Sequence, residues 1–156
     1  MATFPLAEQA ADVVWFSVPT ETGDEVTWEG LGSVVSADGS AVVCNVPAWV
    51  YDLGLGDTVS WIKSAVGAYV ATGILTDAGT YTFRVWLDAD VPTTADVWDV
   101  HTSASELGCW VDIVSTRLVA ISASVEKAQA VANWLESAEA SGRLQYETGR
   151  TTDTPY

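Results

Sequence analysis

Tyr81-Thr82-Phe83-Arg84-Val85-Trp86-Leu87 is the stretch from which the fold of this 156-residue chain is read. Tyr81, Phe83, Val85 and Leu87 alternate with Thr82, Arg84 and Trp86, the period of two that a strand requires. Further along, Pro92 and Thr93 are expected to open a helix, with Thr93 and Asp96 at capping-box spacing. Val97, Val100, Ala104 and Leu107 would form its apolar face, and Gly108 its stop. Trp110 to Val114 and Leu118 to Ala123 read as strands around Ser115 to Arg117. Ser124 is placed to cap a second helix that buries Ala128, Val131, Ala132, Leu135 and Ala138 and ends at Gly142. Leu144 and Tyr146 alternate with Gln145 and Glu147 in a last strand.

The order β-α-β-β-α-β is that of a split βαβ, or ferredoxin-like, unit. The half that precedes it has a different rhythm. Val13-Val-Trp-Phe-Ser-Val18, bounded by Pro19, reads as a buried strand. Glu25 to Ser36 reads as a long strand in which Gly30 and Gly32 mark a bend, as at a barrel corner. Asp38-Gly39 signals a hairpin into Ala41 to Val46. Asn45 to Asp57 is a long connection containing Pro47, Trp49, Tyr51, Gly54 and Gly56, followed by strands at Thr58 to Lys63 and Tyr69 to Thr76. The expected fold class is therefore α+β: a β-rich curved sheet or small barrel, then a ferredoxin-like half. The boundaries drawn are a loose arm at 1–12, the β-rich subdomain at 13–79, the second subdomain at 80–147 and a polar tail at 148–156.

Charge is distributed unevenly over this plan. No Lys or Arg precedes Lys63, whereas Glu8, Asp12, Glu21, Asp24, Glu25, Glu29, Asp38, Asp52 and Asp57 do, so −9 of the net −15 lies in that part. Eight Trp and an apolar fraction of 49% argue that the acidic chain folds. Such a surface disfavours nucleic acid and anionic membrane and favours a basic partner. The bases Lys63, Arg84, Arg117, Lys127, Arg143 and Arg150 are scattered and form no cationic stripe. No apolar run is long enough to span a membrane, and no signal-peptide pattern opens the chain, so a cytoplasmic location is expected.

Catalytic patterns are missing. His101 is the lone histidine and is expected to be structural, since one His cannot build a multi-His metal site. Cys44 and Cys109 lie in apolar sequence without a basic setting to lower their pKa, and their spacing gives no zinc pattern. Gly54-Leu55-Gly56 lacks the Lys and helix start of a phosphate cradle and runs into Asp57. Asp24 with Glu25 and Asp88 with Asp90 lack the ligand order of a calcium loop and read as solvated turns. No catalytic, cofactor or metal residue is assigned.

Several segments, in order, carry a resemblance. They are Val14 to Pro19, Val26-Thr27-Trp28-Glu29, Asn45-Val46-Pro47, Leu55 to Val59, Thr82 to Val85, Leu107-Gly108-Cys109 and Gly142 to Glu147. Together, over roughly Val13 to Glu147, the chain resembles the bacterial family of unknown function DUF4265. The resemblance implies domain boundaries but no activity. Members often show a Ser-Gly-His-Ser-Thr-like stretch before the central strand; here Asp77-Ala78-Gly79-Thr80-Tyr81-Thr82 lacks the His.

The leading expectation is a non-catalytic module that binds and neutralises a basic protein, as an immunity protein or toxin inhibitor does. Its contact residues would be Glu21, Asp24, Glu25, Glu29, Asp38, Trp49, Tyr51, Asp52 and Asp57, acids for steering and loop aromatics for affinity. Trp28 is expected in the core. The alternatives are a regulatory module that binds a small ligand and a carboxylate-based hydrolase. Oligomeric state is left open.

Overall fold

The computed structural model describes residues 7–92 and 94–149. The chain divides after Ala78 into two compact units. In the first, strands β1 (Asp12–Pro19), β2 (Val26–Val35), β3 (Ser40–Val43), β4 (Thr58–Lys63) and β5 (Tyr69–Thr76) follow one another around a closed barrel. Sequential neighbours are antiparallel, and a short parallel pairing of β1 with β5, Val14 to Tyr69 and Trp15 to Val70, closes the ring. Closure removes the unpaired edges that an open sheet of this size would expose. The interior is filled by Val14, Phe16, Leu31, Ala41, Val43, Leu53 and Val59.

Close approach explains the two glycines of β2. The rim of the Trp15 ring lies 3.0 Å from where a Cβ on Gly30 would stand. At Gly32 an added Cβ would lie 2.6 Å from Asn45 Oδ1 and 3.1 Å from Ala10 Cβ. The arm is therefore not loose throughout: Ala7–Gln9 forms a 3-10 turn, and Ala10 packs on Gly32. Asn45 also ends β3 earlier than Val46. Its Oδ1 accepts the Gly32 N–H at 2.8 Å, so a side-chain oxygen takes over as acceptor where the strand stops.

The second unit contains β6 (Tyr81–Trp86), α1 (Val97–Glu106), β7 (Trp110–Ile113), β8 (Leu118–Ala123), α2 (Val125–Ala140) and β9 (Gln145–Thr148). The sheet order is β7-β8-β6-β9, with every neighbouring pair antiparallel. All six residues of β8 are buried. Val97, Val100 and Ala104 of α1 and Val131, Leu135 and Ala138 of α2 join Phe83, Val85, Val119 and Ile121 in one core. Arg84, on central β6, is 1% exposed and meets Glu147, its registered partner on β9, at 3.4 Å. A guanidinium at that depth needs such a partner, and it is withdrawn from any surface role.

α1 starts later than the sequence suggests. Thr93 lies outside the described residues, and the cap is Asp96, whose carboxylate accepts the Trp98 N–H at 2.7 Å while Asp99 accepts from Asp96 at 3.4 Å. Residues 89–92 turn instead, with the Val91 N–H on the Asp88 carbonyl, and Ala95 donates to the Arg143 carbonyl. Ser124 stands at the N-cap position of α2, yet its hydroxyl makes no capping bond. The fold is thus α+β: a closed barrel and a four-stranded sheet with two helices. Among the described residues no helix is long and apolar enough to cross a membrane.

The packing at Gly32 makes a testable contrast. Gly32→Ala should lower stability by about 1–3 kcal/mol through overpacking against Asn45 and Ala10. Gly73→Ala, whose Cβ would meet only Ser60 Oγ at 3.7 Å, should cost far less. Urea denaturation of the two variants gives the comparison.

Candidate partner-binding surface

Strand period decides what the barrel shows to solvent. Along β1, Val14 and Phe16 point inward while Val13, Trp15 and Ser17 point outward. Cross-strand partners share a face, so Trp15 stands beside Gly30, Ser17 beside Trp28 and Pro19 beside Val26. On the other side Trp15 is registered with Val70 of β5, and Val70 with Ile62 of β4. An outward band therefore runs from Ile62 through Val70 and Trp15 to Trp28 and Val26. Trp15 is 40% exposed, Trp28 52% and Trp49 49%; Val13, Val26 and Ile62 are also exposed. The outer face of an antiparallel barrel is ordinarily polar, so this composition is informative. Trp28 is not in the core, and Val13 to Val18 is buried on one face only.

Beside this band the long β3–β4 connection is held by one side chain. Glu29 Oε1 accepts the Ala48 N–H at 2.7 Å, and Oε2 accepts those of Trp49 and Val50, both at 2.9 Å. Three successive amides around one carboxylate form a strong, charge-assisted set. They fix Trp49 next to Trp28, and the two indoles, with Val18 and Thr27, line a hollow of about 240 Å³. At the loop's other end Asp57, 2% exposed, accepts the Gly54 N–H at 2.8 Å and the Ala78 N–H at 2.7 Å. Tyr51 and Asp52 project from the middle of the loop, Asp52 with φ of +58°.

The nine residues singled out from the sequence thus separate. Glu29 and Asp57 serve the loop from within the unit, and Asp57 does not reach the surface. Glu21, Asp24 and Glu25 lie exposed in the β1–β2 turn, next to Val26. Asp38 sits in the β2–β3 turn at the far end of the ten-residue β2, about 30 Å away at ~3.3 Å per residue, and is not brought to the tryptophans. The Ser40 hydroxyl and N–H, at 2.6 and 2.9 Å, hold its carboxyl below the usual carboxylate range. Sequence reasoning missed Val13, Trp15, Val26, Trp28 and Ile62. The available signal was Val13-Val-Trp-Phe, which is apolar on both faces of one strand.

Elsewhere the chemistry is spare. Cys44 and Cys109 are free thiols in different units, and burial raises the pKa of both, which opposes thiolate chemistry. His101 is half-buried against Trp98, with ring centroids 5.9 Å apart. Among the described residues no group of three or more His, Cys, Asp or Glu could hold a metal. Asp88 Oδ1 accepts the Asp90 N–H, as a turn residue does. The second unit has a hollow of about 410 Å³ whose lining includes Asp88, Thr94, Glu139, Leu144, Gln145 and Tyr146, with both acids exposed.

Glu29→Ala should leave three amides without their acceptor and cost about 2–3 kcal/mol. Urea denaturation would read the stability, and hydrogen exchange at residues 48–50 should accelerate. Unchanged exchange there would mean that the loop is held by other contacts.

Comparison with solved structures gives a fold match to a "hypothetical protein from Neisseria gonorrhoeae", with TM-score 0.74, 13% identity, and coverage of 92% of this chain and 96% of that one. At that identity the likeness concerns the fold alone. No curated protein matches the chain. The family described as "Domain of unknown function (DUF4265)" matches residues 29–146, some three quarters of the sequence, and the chain belongs to that family.

Proposed function

We propose that this protein is a binding module whose barrel docks a basic protein and neutralises it, in the manner of an immunity protein or inhibitor. One observation carries the reading: an exposed tryptophan-rich band lies on a unit with ten acids against the single base Lys63. Aromatic side chains supply most of the affinity of protein interfaces, and opposite charge accelerates encounter. Glu21, Asp24 and Glu25 flank the Val26 end of the band, and Asp52 lies on the Trp49 loop. The docking surface therefore comprises Trp15, Trp28, Trp49 and Tyr51 with those acids. The same reading includes a ferredoxin-like second unit, supported by the order β7-β8-β6-β9 with a helix after β6 and after β8. It also includes a cytoplasmic setting, supported by two free thiols.

In-cell cross-linking would identify the partner, and the purified pair would then be titrated over salt. The association rate should fall steeply as salt rises and drop again in Asp24→Lys and Glu25→Lys. Trp28→Ala should chiefly raise the dissociation rate. A rate indifferent to salt and to both reversals would sink the proposal.

A second reading, small-ligand binding, is supported by the 410 Å³ hollow in the second unit. A thermal-shift screen of metabolites and nucleotides tests it. A stabilising compound whose effect is lost in Glu139→Ala would favour this reading, and a screen without stabilisation would count against it.

A further inference from the structure

We infer that the hollow between Trp28 and Trp49 receives a cationic side chain of the partner, best the planar guanidinium of an arginine. The inference rests on the docking reading and assigns the chemistry of its central pocket. The described residues that line the hollow include two half-exposed indoles. An indole face carries the negative part of its quadrupole and attracts a cation within about 6 Å of the ring centroid. Val18 and Thr27 supply walls that can take the methylene stem of a long basic side chain.

Charge selects the occupant further. The hollow's own unit has no base before Lys63, and Lys63 lies over the Tyr69 ring at 5.3 Å from its centroid. Glu29, between the strand that carries Trp28 and the loop that carries Trp49, adds a carboxylate beside the pocket. An anion entering here would meet that charge, and Lys63 is the one base in the sequence of this unit. An apolar side chain would fill the walls but gain nothing from the field. A guanidinium gains from both, because its flat faces suit indoles and its edge N–H groups remain free to donate. Glu29 also makes the pocket preorganised: the Trp49 backbone is held before any partner arrives, so little ordering is required on binding.

The test uses the full chain and two short capped peptides, Gly-Arg-Gly and its neutral counterpart with citrulline in place of arginine. The readout is the indole Nε1–H signal of each tryptophan by NMR. The arginine peptide should shift Trp28 and Trp49 saturably, and the citrulline peptide should bind about fivefold more weakly or worse. Trp98, exposed in the second unit, serves as the internal control and should stay still. Trp28→Ala and Trp49→Ala should each abolish the response at the remaining indole. Both positions are half exposed, so the variants are expected to fold, and Trp49→Leu keeps an apolar wall while removing the π face. Equal binding of the two peptides, or no shift at either indole, would overturn the inference. If the indoles ignore both peptides while Asp24→Lys still slows the partner, the docking reading stands and the pocket assignment falls. If the arginine peptide fills the hollow but partner association ignores salt and charge reversal, the pocket stands and the docking reading falls.

Discussion

Closure of the barrel is the constraint on which the candidate surface depends. The parallel pairing of Val14 and Trp15 with Tyr69 and Val70 joins the first strand to the last. Once joined, inward and outward positions are set all round the ring, because neighbouring strands must keep their pleats in phase. Val14, Phe16 and Leu31 are then inside, and Trp15, Val70 and Ile62 are in register outside. A slip of one residue at the seam would exchange these sets. The apolar band is thus a consequence of the pairing that makes the core.

Carboxylates in the barrel unit do two kinds of work, and burial separates them. Glu29 and Asp57 accept backbone N–H groups at opposite ends of the β3–β4 loop, where strand pairing is absent and the amides need other acceptors. Glu21, Asp24, Glu25 and Asp52 are instead exposed to solvent. The uniform negative charge of this part of the chain therefore combines a structural set with a surface set. The structural set also aligns the surface, since the carboxylate that holds residues 48–50 fixes where Trp49 stands.

Much of the architecture was legible in the sequence. The alternation through Tyr81 to Leu87, the two helical faces and the turn glycines correspond to elements in the expected order. β4 and β5 have the bounds that their composition suggests. The element boundaries shifted where a side chain accepted a backbone N–H. Asn45 cut β3 short, and Asp96 displaced Thr93 as the cap of α1. Such substitutions leave no periodic trace, because any nearby Asn or Asp has the same chemistry available. Trp28 was misjudged for another reason: hydrophobicity suggests burial, but a strand buries only one of its faces.

The amino-acid sequence by itself determined the α+β class, the order of elements, the family and the concentration of acids before Lys63. These follow from local quantities: period, composition and charge along the chain. Tertiary structure alone decided which acids stay in water, that Trp15 and Trp28 share an outer face with Ile62, and that Trp28 and Trp49 line one hollow. Residues 28 and 49 are separated by a turn, a strand and half a loop. Barrel register and three hydrogen bonds to one carboxylate bring them together, and neither is encoded in any short stretch of sequence.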